Sequence, residues 1–143
     1  MAFDMSVRPS EILSLRIRDI KFRINNEGIQ YGEVEIKGGK TGCRIIPLID
    51  SIPYVKNWIE HGHPTGTNPD SWLFVSFAKG NYGSKLTYDG LLKHYKDFYK
   101  KSFFSKLLLD ETIPSADKAY IKNILTKSIA LYNLRHSALT EKK

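Results

Sequence analysis

The sequence predicts an α+β protein, mainly α-helical, with a small three-stranded antiparallel sheet. Two turn signals, Asn25-Asn26-Glu27-Gly28 and Gly38-Gly39-Lys40-Thr41-Gly42, cut residues 19–49 into three extended runs rich in Ile, Val and aromatic residues. On either side of that region, apolar residues recur at helical spacing behind residues that favour helix starts: Pro9, Pro53, Thr87, Pro114 and Asn133.

In chain order, Met1–Val7 reads as the tail of a buried helix, because Ala2, Phe3 and Met5 run straight into the next element, and a preceding N-terminal part is expected. Pro9 suits the first position of a helix whose stripe is Ile12, Leu13 and Leu15, which puts Arg8 at its mouth. Asp19–Ile24, then Tyr31, Val34 and Ile36, then Arg44–Ile49 form the predicted meander, with Lys40 at the tip of its second hairpin among three glycines. Asp50–His61 is predicted helical, burying Ile52, Val55, Trp58 and Ile59. His61 and His63 follow in a loop with no acidic or thiol partner at ligand spacing, which argues against a metal site.

Trp72, Leu73, Phe74, Val75 and Phe77 make a short segment expected to be buried, and Gly80–Lys85 a polar loop. Thr87 caps a long helix running to about Leu109. Its predicted buried stripe is Leu91, Leu92, Tyr95, Phe98 or Tyr99, Phe103 and Leu107. Lys93, Lys96 and Lys100 fall together on another face, either a plain solvated face or a contact for the DNA backbone. Ile113-Pro114-Ser115 starts a helix over Ala116–Lys127, and Asn133 caps a last one carrying Leu134, Ala138 and Leu139.

Composition narrows the function classes. A chain of 143 residues makes one domain, and 41% hydrophobic with 12% aromatic residues is globular, not disordered. Twenty-two Lys and Arg against fifteen Asp and Glu give +7, a balance that favours a polyanionic partner. Cys43 is the only cysteine, so there is neither a disulfide framework nor a thiolate zinc site, and a cytoplasmic setting is expected. No apolar run has the length of a membrane span, and no signal-peptide pattern opens the chain.

Arg8 and Arg135 share an unusual setting. Each is predicted at a helix N-terminus, where the dipole disfavours a cation unless an anion sits there too. Free N–H groups at such an end attract phosphate, and a guanidinium adds a bidentate fork. Two such sites on one small basic chain are what one phosphate held from two sides would require. The plain alternative is a surface ion pair, for instance Arg8 with Glu11.

Four pieces stand in one order: Arg8-Pro9-Ser10-Glu11 opening a helix, Lys40-Thr41-Gly42 in a hairpin, Ile46-Pro47-Leu48 in the next strand, and Leu134-Arg135-His136-Ser137 opening a late helix. In that order and spacing they resemble the catalytic domain of tyrosine recombinases, the phage and archaeal integrases and Xer-type resolvases, over nearly the whole chain. Asp19-Ile20 and the His63-Pro64 loop also look like family features.

The resemblance implies that family's DNA breaking and rejoining fold and site-specific recombination or integration. One strand at a time is cleaved through a phosphotyrosyl intermediate, with double-stranded DNA as partner, self-association of the full-length protein on DNA, and no metal or other cofactor. By motif, Arg8 and Arg135 take the places of the two arginines that hold the scissile phosphate, where fixed forks stabilise the charge that grows in the transition state. Lys40 takes the place of the general acid for the leaving 5′ oxygen, and Glu11 that of the carboxylate supporting the first arginine. Glu11 also reads as an ordinary helix-end charge.

Three departures accompany the match. Tyr132 stands where the family has a histidine, able to hydrogen-bond a phosphate oxygen but poorly suited to shuttle protons near neutral pH. His136 sits beside Arg135, where the family's histidine is more structural than catalytic. The sequence stops at Lys143, ahead of the helices on which the family carries its nucleophilic tyrosine, so a catalytic-domain fragment without nucleophile or N-terminal DNA-binding domain is expected. Arg8, Lys40, Arg135, His136, Lys93, Lys96 and Lys100 are the predicted DNA contacts. A non-catalytic DNA-binding module from a truncated or decayed integrase is the second reading; an RNA-binding domain lacks the aromatic strand motif it would need.

Overall fold

The computed structural model describes residues 1, 5–38 and 42–126, the side chains of residues 99–101, 124 and 126 excepted. The three predicted strands are present as β1 (Ile20–Ile24), β2 (Gln30–Ile36) and β3 (Arg44–Leu48), antiparallel in the order β1-β2-β3. Their register is fixed by the first turn. Gly28 takes φ +79°, a conformation that needs no Cβ, and the Asn25 side-chain oxygen accepts from the backbone N–H groups of Glu27 and Ile29, each at 2.9 Å. Ile20 then faces Val34, and Gly32 faces Leu48 across the second pair. A Cβ on Gly32 would lie 3.1 Å from that of Leu48, a contact tighter than packing normally allows.

The inward face of the sheet supplies Ile20, Val34, Ile36 and Leu48 to a core completed by Met5, Val7, Ile12, Leu15, Ile52, Val55 and Leu73. Val34, Leu48 and Leu73 are fully buried, and each such side chain stabilises the fold by about 1.5–3 kcal/mol. Met5 and Val7 are therefore core, as the sequence indicates.

The helices depart from prediction in instructive ways. The first, α1, is a single turn, Pro9–Ile12, followed by a bend and a 3₁₀ turn at Ile17–Asp19. Leu13 and Leu15 are buried without continuing the helix. Leu15 instead gives its carbonyl to the Leu73 N–H at 2.8 Å, and Arg16 bridges Trp72, so the chain turns extended to meet residues 72–75. In that segment Leu73 and Val75 are buried, whereas Phe77, expected inside, is exposed.

The next helix, α2 (Ile52–Asn57), continues as a wide π-type turn, Trp58–Gly62. The Trp58 indole N–H reaches the Leu73 carbonyl at 2.8 Å, and its ring covers Gly62, where a Cβ would lie only 2.8 Å from the ring.

Thr87 caps α3 (Tyr88–Asp97), its hydroxyl accepting from Gly90 N–H at 3.1 Å. The helix passes through a π-type stretch, Phe98–Phe104, into α4 (Ser105–Leu109) and on to α5 (Ser115–Thr126). The predicted buried stripe of this long helix is overturned. Leu91, Leu92, Tyr95 and Leu107 are half-buried, and Phe98 and Phe103 are exposed. The helix packs chiefly on its own continuation and on α5, not on the sheet, and the widened turns from Phe98 break the 3.6-residue period on which the stripe depends. Among the described residues no helix is long and apolar enough to cross a membrane.

Candidate functional site

Pro9 cannot donate a backbone hydrogen bond and starts α1 with its φ preset, leaving Arg8 extended at the N-cap (φ −71°, ψ 146°). Glu11 falls at the third helical position, the place from which a carboxylate folds back onto the cap. Its Oε2 accepts from the Arg8 backbone N–H at 2.8 Å. Its Oε1 lies 3.7 Å from Arg8 Nη1 and accepts from Arg44 Nη2 at 3.0 Å. Glu11 is nearly closed off, its side chain 8% exposed, while those of Arg8 and Arg44 keep 28% and 29%. Burial pushes the Glu11 carboxyl up. The Arg8 N–H, the Arg44 hydrogen bond and the charges of Arg44 and Arg8 together outweigh it, so its pKa lies below the ordinary glutamate value.

A second ion pair lies on the other side of the same hairpin. Asp19, buried, caps the 3₁₀ turn by accepting from Arg16 N–H at 2.8 Å, and its other oxygen takes Lys37 Nζ at 2.5 Å. Lys37 precedes and Arg44 follows the glycine-rich turn, so both ends of that turn are tied by charge to the segment that carries Arg8. Gly38 and Gly42, both at positive φ (+85° and +73°), bound it. A shallow cleft of about 180 Å³ runs between these anchors, lined by Ser10, Glu11, Asp19, Glu35 and Lys37.

The start of α3 lies alongside. Lys85 Nζ stands 3.5 Å from Ser14 Oγ and 4.7 Å from the Trp72 ring centre, and Arg16 covers the same ring at 4.1 Å. Beyond Lys85 opens a cleft of about 630 Å³ lined by Ser76, Asn81, Ser84, Lys93 and His94.

Of the predicted site residues, the structure brings Arg8 and Glu11 together, in the ion pair that is the plain alternative for Arg8, with Glu11 at the helix end. Because α1 is one turn, the helix-dipole argument for an anion at Arg8 does not hold; the side chain is instead placed by Glu11. Lys93 is exposed and Lys96 half-buried, and nothing is described of the Lys100 side chain. Lys40, Tyr132, Arg135 and His136 lie outside the described residues.

His63 is buried: Nδ1 accepts from Thr65 N–H at 3.1 Å, which leaves Nε2 as donor to the Trp72 carbonyl at 2.8 Å. It is a structural pin with both ring nitrogens engaged. Among the described residues no group of histidine, cysteine and carboxylate side chains converges as metal ligands would.

Arg44, Lys37 and Asp19 were not singled out as site residues from sequence. One signal was available for Arg44: a lone charge in an otherwise apolar strand, two residues after the last glycine of a glycine-rich turn. No family model, curated protein or solved structure matches the chain. What the fold and site define is an α+β protein with two guanidinium groups gathered on one shielded carboxylate.

Proposed function

We propose that this chain is the phosphate-holding part of a tyrosine recombinase catalytic domain, binding duplex DNA so that Arg8 and Arg135 grip one backbone phosphate and Lys40 protonates the leaving 5′ oxygen. The observation that carries the reading is the cluster of Arg8 and Arg44 on Glu11. It holds a guanidinium beside the β2–β3 hairpin, with Arg8 and Arg44 both facing Glu11. The three-stranded meander in direct succession to the Arg8 turn, and the overall +7, support it further.

In this proposal the two forks stabilise the charge that builds on the non-bridging oxygens, Glu11 caps the turn on which Arg8 stands through the Arg8 backbone N–H, and a lysine on a glycine-rich turn supplies the proton. Lys93 and Lys96 add backbone contacts. None of the eight tyrosines stands at the motif position of the family's nucleophile, and Tyr132 takes that of a phosphate ligand. In this proposal none of these tyrosines attacks the phosphate, and DNA is bound non-covalently.

A crystal soaked in sulfate tests the reading: one anion bridging Arg8 and Arg135 is expected, and arginines pointing to separate surfaces would end it. In solution, replacing both by Ala should flatten the salt dependence of duplex binding by about two phosphates. A denaturation-resistant adduct on nicked DNA, lost in Tyr132→Phe, would overturn the non-covalent part.

A further inference from the structure

Glu11 is held at three points, and the three are unequal. Its Oε2 is fixed by the Arg8 backbone N–H at 2.8 Å, which leaves Oε1 facing two guanidinium groups. Arg44 meets that oxygen at hydrogen-bond length, 3.0 Å, whereas the Arg8 guanidinium stands off at 3.7 Å. Among the described residues Glu11 is shared by two guanidinium groups, and the weaker of the two pairings belongs to the arginine read above as a phosphate ligand.

We infer that Arg44 is a positioning residue for anion binding by Arg8: by taking up the charge of Glu11, it keeps Arg8 from being neutralised by its own helix-cap carboxylate. The inference rests on the reading of Arg8 as a phosphate ligand. Without Arg44, Glu11 and Arg8 form a closed pair three residues apart on one turn, and an incoming phosphate must break that pair before it can bind. With Arg44 present, the carboxylate already has a strong partner from β3. Shielding makes the competition matter, since a carboxylate 8% exposed is screened far less than one at the surface.

The test is a mutant cycle read by fluorescence anisotropy on a labelled short DNA duplex across a salt series. Arg44→Gln should weaken binding about tenfold, the loss expected when a charge-assisted contact is made unavailable, and should flatten the salt slope by about one phosphate. Adding Glu11→Gln to that variant removes the competitor, so most of the affinity and the full slope should return. A double variant as weak as Arg44→Gln alone would overturn the inference, because neither a direct phosphate contact by Arg44 nor a purely structural role can be restored by removing Glu11.

Where Arg44→Gln does not fold, Arg44→Lys serves. An ammonium still neutralises Glu11, so binding within about threefold of the parent supports the inference and a tenfold loss in folded protein overturns it. Arg8→Gln separates the two levels. If it leaves affinity and salt slope unchanged, Arg8 is not a phosphate ligand and both readings fall; if it weakens binding while the cycle is additive, only the role of Arg44 falls.

Discussion

Glu11→Ala is the perturbation with the clearest consequence for the fold. It removes the acceptor of the Arg8 N–H at 2.8 Å and the partner of Arg44 at 3.0 Å, and it leaves two half-buried guanidinium groups facing each other. A lost helix-cap acceptor costs about 1 kcal/mol, and loss of the charged pair costs about another 1 once the partial exposure of both arginines is discounted. For a chain of this length a total of about 2 kcal/mol lowers the melting temperature by about 6 °C.

Glu11→Gln keeps an amide oxygen for the cap and should lose about half as much. The assay is thermal unfolding by circular dichroism as a function of pH. Because folding lowers the pKa of Glu11, its stabilising contribution is complete above the unfolded glutamate value and is lost as pH falls through the lower folded value. The gap between parent and Glu11→Gln should therefore shrink from about pH 6 to about pH 3. A gap that widens toward acid, or a Glu11→Ala variant melting within about 1 °C of the parent, would refute the account of the cluster.

Three other substitutions have defined outcomes. At Gly66 an added Cβ would sit 1.9 Å from the Ile59 carbonyl oxygen, so Gly66→Ala has to displace backbone and should destabilise by about 2 kcal/mol or more, measured by urea unfolding. His63→Ala strips two hydrogen bonds from a buried position and leaves the Trp72 carbonyl and Thr65 N–H to find water, costing about 2–3 kcal/mol in the same assay, while added zinc should leave stability unchanged. Lys40→Ala should leave duplex affinity within about threefold, since one lysine makes at most one phosphate contact; a larger loss contradicts its assignment as a leaving-group acid.

Much of the sheet was legible because its signals are local. Asn25 through Gly28 specify a turn by their own hydrogen bonds and by a positive φ, and a period of two on either side does the rest. The helices were less legible because their lengths are decided by contacts remote in sequence. Leu13 and Leu15 fit a helical stripe, yet the carbonyl of Leu15 is taken by Leu73, and that pairing ends the helix after one turn. Trp58, where the second helix widens, likewise donates to the Leu73 carbonyl, a partner no spacing rule contains. The stripe from Leu91 to Leu107 failed because the turns widen from Phe98 onward, so apolar residues recurring at helical spacing no longer share one face. In the site, Arg8 and Glu11 could be paired from their spacing, whereas Arg44 is 33 positions from Glu11 and only the hairpin brings it there.

The hairpin between β2 and β3 is tied by charge at both ends to the segment that carries Arg8. Both residues that flank its turn are held by charge. One end is fixed by Lys37 on Asp19 and the other by Arg44 on Glu11, and both carboxylates belong to the short stretch between Arg8 and β1. Each carboxylate also caps the turn it starts from, Asp19 through Arg16 N–H and Glu11 through Arg8 N–H, so the same two side chains that shape the backbone around Arg8 hold the base of the turn that contains Lys40. Surface ion pairs placed for solubility alone would have no reason to combine capping with cross-linking twice within nine residues of one another. Asp19→Asn together with Glu11→Gln should therefore loosen the turn at both ends, and faster backbone amide exchange at Gly38 and Gly42 than in either single variant is the expected result. Exchange that matches the parent would show that the turn is held by something other than these two carboxylates.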